Sequence, residues 1–90
     1  MAIEIHLPTV LRQYAAGSAV VEADGETLRD LISDLESRFP GIGGQLMIDD
    51  DLHRFVNVYL NDEDVRYLGK LDAKVSDEDV ISILPAVAGG

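Results

Sequence analysis

Ile3, Ile5 and Leu7 alternate with Glu4 and His6, and a period of two sends alternate side chains to opposite faces of a strand. The pattern predicts a first strand over about residues 2–7, ended by Pro8-Thr9. Ala19-Val20-Val21-Glu22-Ala23 lies between Gly17-Ser18 and Asp24-Gly25 and predicts a second strand bounded by turn residues. The connection between the two is long and poorly patterned, so the register of the second strand stays open. The period then changes. Leu28, Leu31, Ile32, Leu35 and Phe39 fall at i, i+3, i+4, i+7 and i+11, with Arg29, Asp30, Ser33, Asp34, Ser37 and Arg38 opposite them, which is one apolar stripe and one wet face of a helix. Thr27 can cap its start with Asp30 at the positive end of the dipole, and Pro40-Gly41 stops it, so the helix runs from about residue 27 to 39.

Residues 42–53 read as a loop with Ile42, Leu46 and Met47 tucked under the domain and Asp49-Asp50-Asp51 exposed. Phe55-Val56-Asn57-Val58-Tyr59-Leu60 is the strongest strand signal in the chain, and Asn61-Asp62-Glu63-Asp64 turns it into a partner strand, Val65-Arg66-Tyr67-Leu68. Val80-Ile81-Ser82-Ile83-Leu84 is a last strand, ended by Pro85. Five strands and one amphipathic helix must form two layers, because the helix stripe and one sheet face have only each other to bury against. The expected class is α+β, a mixed five-stranded sheet on one main helix, with the β-grasp arrangement of ubiquitin as the natural candidate. Residues 1–85 would be the folded domain and residues 86–90 a flexible tail.

A chain of 90 residues, 47% of them hydrophobic, is long enough for one core. The absence of cysteine excludes disulfides, thiolate metal sites and a thiol nucleophile. Seventeen acidic against seven basic residues leave a formal charge of -10, which disfavours nucleic acid and anionic membrane surfaces and favours solubility or basic partners. With neither a leader-like start nor a long apolar run, the chain reads as cytoplasmic. Conventional catalysis finds little support. His6 and His53 form no metal pair or triad by spacing, and the run of three aspartates lacks the spaced ligand order of a calcium loop. Neither a metal site nor a catalytic residue is expected. Gly41, Gly43 and Gly44 are not followed by the Lys-Ser/Thr of a phosphate loop.

The end of the chain differs. After Pro85 only Ala86-Val87-Ala88-Gly89-Gly90 remains, and two terminal glycines arise by chance in about 0.5% of chains. Extended, these residues span roughly 16–18 Å. Residues without a Cβ can pass a narrow channel and bring a carboxylate to a nucleotide. A carboxylate is a poor electrophile, so chemistry at Gly90 requires activation by a partner. If Val56, Val58 and Leu60 face the helix, Phe55, Asn57 and Tyr59 face the other way, where Leu84 joins them. An apolar patch beside the tail is the expectation, and coverage of that patch by residues 42–53 is the alternative.

Leu84-Pro85-Ala86-Val87-Ala88-Gly89-Gly90, preceded by Asp77-Glu78-Asp79-Val80, resembles the end of the MoaD/ThiS ubiquitin-like sulfur carriers. There an acidic turn, a strand and a Pro-x-Val-x-Gly-Gly tail follow one another. The segment from Leu52 to Arg66 and the Ala-Val-Ala-Gly-Gly ending most resemble the branch serving bacterial cysteine biosynthesis, with a molybdopterin-synthase role as the alternative. Ser76-Asp77-Glu78 stands where the family often has an Asp-Gly turn, and Ala86 where it often has a second proline.

The resemblance implies a carrier rather than an enzyme. Gly90 would be adenylated by a ubiquitin-activating-like enzyme that uses ATP, then converted to a thiocarboxylate, with Gly89, Ala88 and Val87 forming the tail that enters the partner. No cofactor would be bound by the chain itself. The sulfur would pass to an activated serine derivative on a synthase, with a zinc peptidase releasing cysteine. Phe55, Tyr59 and Leu84 would form the partner interface. Two other classes share or dispense with the tail: a protein modifier that joins Gly90 to lysines, and a β-grasp interaction module with an accidental Gly-Gly. A small acidic acyl carrier is discounted, because Ser33-Asp34-Leu35 lies within a helix and the chain is rich in strands.

Overall fold

The computed structural model describes residues 2–54 and 56–85. Strand β1 (Ile3–His6) is followed by a 3-10 turn over Thr9–Ala15, then β2 (Val20–Ala23) and helix α1 (Leu28–Arg38). A four-residue helix α2 (Gly43–Leu46) leads into the short strands β3 (Met47–Ile48) and β4 (Asp51–Leu52). The chain then forms β5 (Val56–Leu60), β6 (Glu63–Asp64) and β7 (Val80–Pro85).

Five strands make one mixed sheet in the order β2-β1-β7-β5-β6. The central pair β1 and β7 is parallel, with Ile5 opposite Ile81, and the other pairs are antiparallel. With α1 packed across one face, this is the β-grasp fold. The alternation in the sequence is realised in burial. Ile3, Ile5, Val21, Ala23, Val58, Ile81 and Ile83 point into the core, where they meet Leu28, Leu31, Ile32 and Leu35 of the helix. Each of these helix side chains contributes about 1.5–3 kcal/mol on burial. That packing stabilises an 11-residue helix that would be marginal alone.

The helix ends are set as the sequence implies. Thr27 Oγ1 accepts the Asp30 amide at 3.2 Å, and the Phe39 amide reaches Leu35 O at 2.7 Å just before Pro40. The Glu36 carboxylate then accepts the amides of Gly41 and Gly43, at 2.9 and 2.8 Å, and so ties the helix to the following turn.

Two expectations are corrected. Residues 42–53 are not a loop: α2 buries Ile42 and Leu46, and β3 pairs with β4 through Asp49 and Asp50, both with left-handed backbone (φ 51° and 62°). Two successive residues of that kind form the turn that matches strand twist in a tight hairpin. The partner strand expected at 65–68 is not there: β6 lies at Glu63–Asp64, within the stretch expected to be the turn. Pairing stops at Asp64, whose side chain accepts the Arg66 amide at 2.9 Å and turns Val65–Tyr67 into a 3-10 helix. That local bond offers the backbone an alternative to the sheet ladder, and it lets Val65 drop into the core at 1% exposure.

Candidate functional site

β7 carries the chain from the core to its end, and several contacts fix where that strand starts and finishes. At its start, Asn61 is a two-sided clamp. Its Oδ1 accepts the Val80 amide at 3.0 Å, its own amide donates to Val80 O at 2.7 Å, and its Nδ2 donates to Asp79 at 3.2 Å. Asp79 also accepts the amide and hydroxyl of Ser76. The Ser76 amide, with lesser help from the Asn61 side chain and the Ser76 hydroxyl, holds the Asp79 carboxyl below its ordinary pKa against the opposing effect of burial. At its other end β7 pairs with β5 up to Pro85, which lies opposite Val56.

Antiparallel partners share a face, so the register puts Asn57 beside Leu84 and Tyr59 beside Ser82 on the side away from α1. Tyr59 is half-buried and Leu84 is 46% exposed. They line one shallow concavity with Ser82, Asn61 and Asp62. Tyr59 and Leu84 share one face, as the alternation implied, and of the segment 42–53 the side chains of Ile42 and Leu46 are in the core. Phe55, Val87, Ala88, Gly89 and Gly90 lie outside the described residues.

The exposed apolar surface extends further than the sequence indicated. A groove beside Leu84 and Pro85 is lined by His6, Pro8, Val10 and Val20. Val10 is 62% and Val20 45% exposed. Val20 sits opposite His6 in the β1–β2 ladder, which turns it outward while Val21 turns in. Val10 is presented by the Thr9–Ala15 turn, anchored through buried Leu11 and Ala15 and by the Arg12 Nε bond to Leu7 O at 3.2 Å. Period two could have placed Val20 only once the register was known. Val10, in an unpatterned connection, carried no signal. His6 shares a hydrogen bond with Glu4 on this same face. Among the described residues no group of acidic and histidine side chains could hold a metal, and no helix is long and apolar enough to cross a membrane.

The arrangement is an exposed apolar sheet face that runs to Pro85, the last described residue. Comparison with known proteins gives that face a context. The model of the ThiS family matches residues 5–90. The chain is 48% identical to the sulfur carrier protein CysO of Mycobacterium tuberculosis, with all of both chains covered. It is 34% identical, over 74% of its length and 73% of the relative's, to small archaeal modifier protein 3 of Haloferax volcanii. Among solved structures it matches one chain of the Amycolatopsis orientalis BexX/CysO complex with a TM-score of 0.93 and 52% identity, covering 99% of this chain and 100% of that one.

Proposed function

Because the chain belongs to the ThiS family, we propose that it is a sulfur carrier whose Gly90 is activated by an adenylating partner and loaded as a thiocarboxylate. One observation carries this reading beyond family membership: β7 delivers the chain to Pro85 at the rim of an exposed apolar face, five residues before Gly90. The partner binds the face and receives the tail.

The chemistry follows from the weakness of a carboxylate as an acyl donor. An oxygen of Gly90 displaces pyrophosphate from ATP held by the partner, giving an acyl-adenylate. A sulfur nucleophile supplied by the partner then displaces AMP and leaves sulfur on the glycyl carbonyl. A thiocarboxylate sulfur is a far better nucleophile than a carboxylate oxygen, so the loaded chain donates sulfur to an electrophile on a second enzyme. Similarity to CysO and the segment from Leu52 to Arg66 favour an activated serine derivative on a synthase, hence cysteine biosynthesis, with release by a zinc peptidase. The chain has no cysteine, so no side-chain thiol competes for the adenylate. It acts as co-substrate rather than enzyme.

A second reading is favoured by the similarity to a modifier protein: the adenylated Gly90 is captured by a lysine amine instead of sulfur. ATP–pyrophosphate exchange with an adenylating enzyme tests the shared first step. Exchange is expected with the native chain and lost when Gly90 is deleted or Gly89 is replaced by Val, with no change in thermal unfolding. Exchange that survives either change would remove Gly90 from the mechanism.

A further inference from the structure

We propose that the groove between the Thr9–Ala15 turn and the end of β7 receives a segment of the adenylating partner that carries a carboxylate beside an apolar side chain, with Arg12 taking the carboxylate and Val10 and Val20 the apolar group. The proposal rests on the carrier reading above and names the chemistry of the partner at that face. The groove has a volume of about 520 Å³, and no carboxylate is among the described residues that line it. In a chain with 17 acidic residues and a formal charge of -10, that is a local reversal of sign.

Arg12 is the cation this groove has to offer. Its Nε donates to Leu7 O at 3.2 Å, and the side chain is part-buried. That bond orients the guanidinium, while Nη1 and Nη2 have no hydrogen-bond or ion-pair partner among the described residues. A guanidinium held in this way presents a fork of N–H donors that matches a carboxylate. His6 adds no free charge, because it is engaged by Glu4. Glu4 and Glu22 stand opposite each other two residues down the β1–β2 ladder from His6 and Val20, so the acidic surface resumes just below the groove.

Position selects the partner as the occupant. Leu84 and Pro85 form part of the groove wall, and Gly90 is five residues beyond Pro85. Extended, five residues span roughly 16–18 Å, so an enzyme that holds Gly90 in its nucleotide site has its surface at this groove. The opposite wall is apolar at Val10 and Val20, 62% and 45% exposed, and a concave apolar site with a few placed polar groups is the usual form of a specific contact. Basic surfaces are steered to the rest of the chain, whereas a carboxylate is attracted at Arg12 and repelled at Glu4 and Glu22. The contact therefore favours one orientation of docking, the one in which the tail is offered to the nucleotide site.

The test measures ATP–pyrophosphate exchange with the full-length chain and an adenylating enzyme that supports it. KM for the chain and kcat are separated at low and high salt, and thermal unfolding is recorded for each variant. Arg12→Glu is expected to raise KM about tenfold or more at low salt, with kcat within about twofold of native and the gap narrowing at high salt. Arg29→Glu makes the same change in net charge on α1 and is expected to stay within about twofold of native. Val20→Glu and Val20→Lys remove the same apolar side chain without touching the Arg12 bond to Leu7, and they decide the question if Arg12→Glu unfolds. KM is expected to be about tenfold higher in Val20→Glu than in Val20→Lys at low salt. Equal KM values in the two Val20 variants, a native KM in a folded Arg12→Glu, or an equal rise in Arg29→Glu would overturn the proposal. A lowered KM in Arg12→Glu would assign the groove to this chain's own tail, released by the change, and would overturn it as well. Exchange that fails with the native chain and every adenylating enzyme tried would overturn the carrier reading, and the groove with it.

Discussion

Asn61 joins the β5–β6 turn to the start of β7, and replacing it separates two contributions to stability. In Asn61→Ala the Val80 amide loses the 3.0 Å bond to Oδ1 and Asp79 loses the Nδ2 donor at 3.2 Å. The first bond contributes about 0.5–1.5 kcal/mol and the second, at the surface, less. Residue 61 also has φ 58°, where an alanine costs about 1–2 kcal/mol and asparagine is better tolerated. The sum predicts a loss of about 2 kcal/mol, or a fall in Tm of about 8–16 °C for a domain this size. Asn61→Gly removes the same side-chain bonds but relaxes the backbone, so its loss is expected to be about 1 kcal/mol. Urea unfolding followed by circular dichroism measures both. Equal losses for Ala and Gly would show that backbone strain contributes nothing, and a loss below about 0.5 kcal/mol for Ala would refute the clamp.

Three carboxyls, Asp34, Asp64 and Asp79, have depressed pKa values in the fold. The leading causes are the Asp24 amide, the Arg66 side chain and the Ser76 amide respectively. A depressed folded pKa stabilises above the unfolded value near 3.9, and that contribution is lost as pH falls through the folded value. The urea midpoint should therefore change little from these groups between pH 7 and about 5 and fall progressively below, with a shallower fall in Asp64→Asn; an identical slope in that variant would contradict the assignment. Tyr59→Ala is expected to weaken docking of the adenylating enzyme by about tenfold, the loss typical of an aromatic interface anchor, while leaving the unfolding transition cooperative. Unchanged affinity in a calorimetric titration would remove Tyr59 from the interface.

The parts of the fold legible in the sequence are those long enough to show a period. β1 alternates, β2, β5 and β7 are apolar runs bounded by turn residues or proline, α1 repeats at helical spacing, and Thr27 and Pro40 mark its limits. The parts that were not legible are short or held by local bonds. Strands of two residues at 47–48 and 51–52 cannot display a period. Asp49-Asp50 lacks the glycine that usually announces a left-handed turn. Val65-Arg66-Tyr67-Leu68 has a strand-like composition, and only the reach of Asp64 back to the Arg66 amide decides against pairing. At the candidate site, period two was enough to put Tyr59 and Leu84 on one face. Val10 and Val20 enter the same surface through the turn after β1 and the β1–β2 register, which no short window contains.

The most direct test of the carrier reading is the intact mass of the chain recovered from its native cells under conditions that preserve labile C-terminal groups. A fraction heavier by the replacement of one oxygen with sulfur, localised by fragmentation to Gly90, is the predicted result. A C-terminus that is always an unmodified carboxylate, in cells engaged in sulfur assimilation, would contradict it. Higher-mass conjugates in its place would assign the same glycine to protein modification.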